Sequence, residues 1–135
     1  MTDKNIDLSA YFIDLTAAVE IDLPDGEPMM FGGERVSIEI YSPASKEHAR
    51  AMAERERFLT NKTLRAMGNS KKRSTDDSDD ESRIKFLTAI TAAVHNFPVM
   101  TAEAIYAEPR LRYIADQVDA FAGRLGNFYS AGKKS

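Results

Sequence analysis

The pattern that decides the fold lies near the end of the chain, where signals that start and stop short helices follow one another. Residues 96–121 read NFPVMTAEAIYAEPRLRYIADQVDAF. Pro98 ends one helix because proline lacks a backbone N–H, whereas Thr101 can cap the next helix and Pro109 can occupy the first turn of a third. Gly126 is a typical end for that third helix. This order predicts several short helices that pack on one another.

Two of the predicted helices carry the apolar stripes that would form the core. One ends before Pro98, and its stripe consists of Ile84, Leu87, Ile90 and Val94. The other runs from Pro109 to Leu125, and its apolar residues recur at intervals of three and four: Leu111, Ile114, Val118, Phe121 and Leu125. Stripes with this period place apolar side chains on one face of a helix. We therefore expect these helices to pack together as the core.

The first third of the chain has the period of β-strands. Between Ala17 and Tyr41, apolar residues alternate with polar ones, which puts one set of side chains on a buried face and the other in water. Turns at residues 24–26 and 31–34 contain the glycines that tight turns require. We predict an antiparallel hairpin, with room for a short extra strand near residue 30. Two strands alone are marginally stable, so this sheet must pack on helices or on a neighbouring subunit.

Residues 42–68 are predicted to form a long charged helix. Ser42 and the proline after it make a favourable start, Ser45 is a competing cap, and Gly68 ends the helix. The apolar stripe of this helix is narrow and the remaining residues carry charges of both signs, so we expect its own domain to cover it only in part. Residues 69–82 contain no apolar residue and are predicted to form a flexible loop.

The 135 residues, 43% of them hydrophobic, are enough for one modest core. The predicted fold class is α+β, mainly α, in which an N-terminal antiparallel β-hairpin is followed by a small helical domain of three to four helices. A single domain, residues 1–135, is predicted to contain five parts in chain order: an extended N-terminus with the hairpin (1–41), the charged helix (42–68), the flexible loop (69–82), the C-terminal helices (83–129) and a tail (130–135).

Composition limits the possible function classes. The chain contains no Cys, which removes disulfides and thiolate metal sites. Its net charge of -3 argues against broad affinity for nucleic acid, which depends on a surplus of Lys and Arg. Its apolar runs are far shorter than the ~20 residues that a membrane span requires, and its first residues do not resemble a secretory signal. We therefore expect a soluble intracellular domain.

No motif supports an active site, a metal site or a cofactor site. The acidic residues 76–81 lack the ligand spacing and the central glycine of a calcium loop. His48 and His95 are the only histidines, and neither has a second histidine at a metal-binding spacing or a nearby nucleophile. The glycines of residues 31–34 connect two predicted strands rather than a strand and a helix, unlike a phosphate-binding loop. We predict that the protein is not an enzyme.

Three segments together resemble the tail assembly chaperone family of long-tailed (siphovirus-type) bacteriophages, in the form found in phages of Gram-negative hosts. They are the hairpin with its turn at residues 24–26, the Ser42–Ser45 opening of a charged helix that contains Arg55 and Arg57, and the closing region from Thr101 to Phe128. The resemblance extends from about Ala17 to Tyr129. The chain departs from the family pattern at Asn96-Phe97, where a tryptophan would be expected.

The resemblance implies a non-enzymatic protein of the host cytoplasm that is absent from the mature virion. Such a protein binds the tape measure protein, keeps its apolar helical segments soluble and helps to recruit tail tube protein, in part through a longer product of ribosomal frameshifting. The resemblance also implies a homo-oligomer in the form of a spiral or ring. It implies no cofactor, no nucleic acid and no membrane as a partner.

We predict that the surface for self-association or partner binding lies outside the closing region. Its candidate residues are apolar and come from the charged helix and the hairpin: Met52, Leu59, Leu64, Met67, Val36 and Ile38. One alternative is a structural tail component, such as a terminator or connector, that remains in the virion. Another is a small nucleic-acid-binding regulator, whose DNA affinity would fall steeply with salt.

Overall fold

The computed structural model describes the backbone of residues 11–68 and 76–129, and the side chains of residues 11–64 and 80–129. The predicted tail (130–135), residues 1–10 of the predicted N-terminus and residues 69–75 of the predicted loop lie outside the described residues. The predicted fold class is confirmed, because the described chain is a mixed α+β structure with an antiparallel sheet and four α-helices.

The strands are β1 (Thr16–Glu20), β2 (Met30–Phe31), β3 (Glu34–Arg35), β4 (Ser37–Tyr41) and β5 (Thr91–His95). The helices are α1 (Lys46–Gly68), α2 (Asp76–Ala89), α3 (Ala102–Ala107) and α4 (Arg112–Ala122). Two short 3₁₀ turns flank α4, at Pro109–Leu111 and Leu125–Phe128. The main sheet has the order β1-β4-β5, and both of its strand pairs are antiparallel.

The predicted pairing of the N-terminal strands is confirmed, with Val19 opposite Ile38 in the β1–β4 ladder. The chain between these two strands folds back on itself as the small β2–β3 hairpin. Its turn needs two residues with positive φ, and Gly32 and Gly33 supply them at 62° and 85°. A two-residue turn with this geometry matches the twist of the two flanking strands, and glycine adopts its positive φ angles at little cost.

The predicted helix through Val94 is wrong beyond Ala89. The helix α2 ends at that residue, and the next segment becomes the strand β5, in which Val94 lies opposite Ile38. Ile84, Leu87 and Ile90 do follow the helical period, but the hairpin of β1 and β4 would leave one edge of β4 without backbone partners. Pairing with β5 satisfies that edge, and this long-range gain outweighs the local preference for helix. The predicted segment of C-terminal helices (83–129) therefore contains a strand.

The predicted boundaries of the two longest helices shift by several residues. The helix α1 uses Ser45 as its cap, since the Ser45 hydroxyl accepts a hydrogen bond from the backbone N–H of His48 at 3.0 Å. The Ser42 hydroxyl is buried and instead accepts from the backbone N–H of Ala44 at 3.2 Å. The helix α2 begins at Asp76, so the predicted flexible loop (69–82) is wrong for its last seven residues.

Of the signals of the closing region, the cap at Thr101 is confirmed, whereas the predicted helix ends at Pro98 and Gly126 are wrong, because Pro98 follows the strand β5 and Gly126 lies in a 3₁₀ turn beyond α4. The Thr101 hydroxyl caps α3 by accepting from the backbone N–H of Ala104 at 3.2 Å. Pro109 opens a 3₁₀ turn that leads into α4, rather than α4 itself. The helix α4 ends before Gly123, so Leu125 lies beyond the helix and is 53% exposed.

The core lies between one face of the sheet and the helices α2, α3 and α4. Its completely buried side chains come from both layers: Ile21, Ile38, Ile40, Leu87, Ile90, Ile105, Ile114, Val118 and Phe128. A polar clamp also joins α4 to the end of β1. The side-chain amide of Gln117 accepts from the backbone N–H of Asp22 at 2.9 Å and donates to the backbone carbonyl of Asp22 at 2.8 Å. Within the described ranges, no helix has the length and apolar character to cross a membrane.

Ile114→Ala is expected to lower the free energy of unfolding by about 2–5 kcal/mol, because it leaves a cavity in the core. Leu125→Ala, at a side chain that is half exposed, is the matched control and should change it by less than about 0.5 kcal/mol. Urea unfolding followed by circular dichroism measures both values. Equal effects of the two substitutions would contradict the placement of the core.

Candidate functional site

A groove with a volume of about 350 Å³ lies between α1 and α2. Each helix contributes a phenylalanine to it, and both phenylalanines have alanine or charged neighbours. The lining residues from α1 are Ala51, Glu54, Arg55, Arg57 and Phe58. Those from α2 are Ser82, Lys85, Phe86 and Ala89. On α1 the spacing of three and four residues between Ala51, Arg55 and Phe58 places them on the side that faces α2.

Two reciprocal cation–π contacts join the walls of the groove. The guanidinium carbon of Arg55 lies 5.2 Å from the centre of the Phe86 ring. In the opposite direction, Nζ of Lys85 lies 5.5 Å from the centre of the Phe58 ring. Each such contact contributes about 0.5–1 kcal/mol at a partly exposed site. Together they help to set how α1 lies on α2, and each ring is covered by a cation from the facing helix.

The Phe86 ring also contacts His48, near the start of α1. The two rings are almost perpendicular, with their centres 5.4 Å apart. Burial in this position lowers the pKa of His48, because a protonated imidazole would lose water. The Phe86 ring therefore contacts both the guanidinium of Arg55 and the imidazole of His48, which favours its neutral form.

The groove is basic, although the whole chain has a net charge of -3. Its lining has three cationic side chains, Arg55, Arg57 and Lys85, against the single carboxylate of Glu54. Nζ of Lys85 is 3.6 Å from a carboxylate oxygen of Glu81, one turn earlier on α2. Within the described part of the chain, Arg55 and Arg57 form no ion pair with any carboxylate. Two arginines of the groove are therefore available to an anionic partner.

Comparison with models of known protein families, with curated proteins and with solved structures finds no match. The chemistry of the groove has to be derived from its own residues. An apolar side chain can pack against Phe58, which is partly exposed, and an anion can reach the guanidinium of Arg55. This combination suits a peptide segment that has apolar and charged side chains next to each other.

Three of the predicted surface residues lie on α1 with described side chains. Met52 is 38% exposed, Leu64 is 59% exposed and Leu59 is half-buried. Met52 and Leu59 are seven residues apart and share one stripe of the helix, whereas Leu64 points about 120° away from Met52 at 100° per residue. The side chain of Met67 lies outside the described residues. The predicted residues of α1 thus belong to two different sides of the helix.

The prediction that Val36 and Ile38 form a partner surface is wrong. Their side chains are only 2% and 1% exposed and belong to the core. The prediction assumed a sheet of two strands with an uncovered face. In the structure β4 is the central strand of three, and helices cover the face on which Ile38 lies.

The sequence reasoning missed Phe58, Lys85 and Phe86 as groove residues. A signal for Phe58 was present, because it is the one aromatic residue among the apolar side chains of α1 apart from His48. Lys85 and Phe86 gave no comparable signal, since their role depends on where α2 meets α1. Arg55 was noticed only as part of the family resemblance and as a basic residue.

The remaining polar clusters have structural roles. Arg112 on α4 reaches Asp80 on α2 at 2.7 Å, and Nε of Arg83 lies 3.5 Å from Asp119, so these pairs join α2 to α4. The Tyr106 hydroxyl shares a hydrogen bond of 2.7 Å with the Thr91 hydroxyl, and burial raises the pKa of Tyr106 to about 12. Among the residues described, no group of three His, Asp or Glu side chains is arranged to hold a metal ion.

Stability should decrease as the pH falls from ~7 to ~5, in part because of His48. The pKa of His48 is lowered in the folded state, so the unfolded chain binds a proton at a higher pH and gains stability relative to the folded chain. His48→Gln removes this titration and should weaken the pH dependence of the melting temperature. Thermal unfolding at pH 5, 6 and 7 measures it. The same pH dependence in both proteins would contradict the burial of His48.

Proposed function

We propose that this protein is a tail assembly chaperone of a long-tailed bacteriophage, which binds the tape measure protein while the tail is built. The observation that carries the proposal is the groove between α1 and α2, in which a partly exposed Phe58 lies beside two arginines that have no carboxylate partner among the described residues. A protein that shields apolar helices needs such a surface. The resemblance of the sequence to the chaperone family supports the same function.

The mechanism that we infer is the capture of a helix in a groove. An amphipathic helix of the tape measure protein lays its apolar face on the α1–α2 pair and packs one or two side chains against Phe58. The volume of about 350 Å³ is at the lower end of the range for ligand sites, so a single groove holds few side chains and binds weakly. Weak contacts suit a chaperone that tail tube protein must later displace.

Self-association makes weak sites sufficient. When several copies assemble, their grooves meet successive segments of one long partner, and each further contact forms within a complex that already exists. The total affinity then exceeds that of any single groove without making any one contact slow to release. In this proposal the homo-oligomer is part of the binding mechanism. A longer frameshifted form would supply the contact with the tube protein.

Co-expression with the tape measure protein of the same phage tests the proposal. The soluble fraction of the tape measure protein, measured by centrifugation and gel densitometry, should rise when the wild-type chain is present. Phe58→Asp should abolish this rise, because it places a charge in the apolar part of the groove. Ala53→Asp is the matched control, since Ala53 is exposed on α1 and does not line the groove.

Circular dichroism of each purified variant shows whether it is folded. A tape measure protein that stays insoluble with the wild-type chain would refute the proposal. If Phe58→Asp were folded and as active as the control, the groove would be excluded as the binding site.

Mass spectrometry of purified virions separates the proposed chaperone from the structural alternative. A chaperone leaves before the tail is complete, so its peptides should be absent while those of the tape measure and tube proteins are abundant. Detection of this chain at a constant ratio to the tape measure protein would instead identify a structural tail component.

A further inference from the structure

Arg55 is the groove arginine that lies on an aromatic ring and has no carboxylate partner in the described part of the chain. Its side chain is half-buried, and its guanidinium faces the Phe86 ring at 5.2 Å. No carboxylate in the described part of the chain pairs with it. An arginine that gives up part of its hydration normally recovers it through charge-assisted hydrogen bonds. In the described chain the ring contact is the one interaction of this cation.

The geometry of a guanidinium explains what remains open. A ring contact uses the flat face of the group, whereas its five N–H donors lie in the plane and point outward at the edge. Contact with Phe86 therefore leaves the donors of Arg55 free to bind. A carboxylate matches two of these donors at once, which makes a paired hydrogen bond that is stronger than a neutral one.

We propose that the groove recognises a helical segment of the partner that has an acidic residue beside its apolar residues. The apolar side chain packs against the partly exposed Phe58, and the carboxylate binds Arg55. Arg57 and Lys85 at the rim add attraction for negative charge. The inference rests on the proposed function and deepens it, because it states which segments of the tape measure protein the groove selects.

A helix can present both groups to the groove. Residues three or four apart lie on the same face of a helix, so a Leu followed by a Glu at the fourth position can reach Phe58 and Arg55 together. A Lys at the same position would meet three cations and be repelled. The groove thus distinguishes acidic amphipathic helices from basic ones of equal hydrophobicity.

A nucleic acid fits the groove less well than a peptide does. Bases bind single-strand sites by stacking on open aromatic faces. Here the faces of Phe58 and Phe86 are already covered by Lys85 and Arg55.

The test uses two labelled helical peptides of 20 residues in an Ala and Gln background. Both carry Leu residues four apart, and one carries Glu beside them where the other carries Gln. Fluorescence anisotropy measures the binding of each peptide to the wild-type chain, to Arg55→Gln and to Arg50→Gln. The last variant is a matched control, because Arg50 is exposed on α1 and does not line the groove.

The wild-type chain and Arg50→Gln are expected to bind the Glu peptide at least about tenfold more tightly than the Gln peptide, the effect of one hydrogen-bonded charge pair. Arg55→Gln should remove this preference. Equal binding of both peptides to the wild-type chain overturns the proposal, and this comparison does not depend on any variant being folded. A preference that survives Arg55→Gln, with the variant folded by circular dichroism, overturns it as well.

A labelled single-stranded oligonucleotide provides the competing case. If it binds the wild-type chain more tightly than the Glu peptide and competes with that peptide, the proposal is overturned in favour of a phosphate site.

Failure of this inference is separable from failure of the proposed function. If both peptides bind equally but Phe58→Asp no longer keeps the tape measure protein soluble, this inference fails and the chaperone function stands. If the wild-type chain prefers the Glu peptide but has no effect on the solubility of the tape measure protein, only the chaperone function fails.

Discussion

The strand β4 is the part on which the rest of the structure depends, because it pairs along both of its edges. Val19 of β1 and Val94 of β5 both lie opposite Ile38, and the side chain of Ile38 is buried under the helices. The chain leaves β4 to form α1, and it returns from α2 directly into β5. Both ends of the α1–α2 pair are therefore attached to neighbouring strands. The position of the groove follows from this attachment.

The elements that could be predicted from the sequence are those encoded locally. Alternation of apolar and polar residues was enough for β1 and β4, and the caps at Ser45 and Thr101 follow from residue type. The strand β5 could not be found in this way, because the apolar spacing from Ile84 to Val94 also suits a helix. One signal was available, since TAAVH of β5 nearly repeats TAAVE of β1. This similarity indicates a strand only when it is known that β4 pairs with a strand along each of its edges.

The groove was less predictable than the fold, because its contacts cross between two helices. Nothing in α1 alone shows that Arg55 meets Phe86, and nothing in α2 alone shows that Lys85 meets Phe58. The sequence did indicate that the helix of residues 42–68 is only partly covered. It also led to the wrong surface assignment for Ile38, because the depth at which a strand is buried depends on how many strands and helices surround it.

The two helices have unequal lengths, with 23 residues in α1 and 14 in α2. The groove occupies residues 51–58 and 82–89, at the end of the pair that is rooted in the sheet. Beyond it, α1 continues for almost three turns, or about 15 Å at 1.5 Å per residue. Related proteins could gain or lose whole turns at that far end without changing the sheet or the groove. The length of α1 and the lining of the groove are thus independent features of the fold.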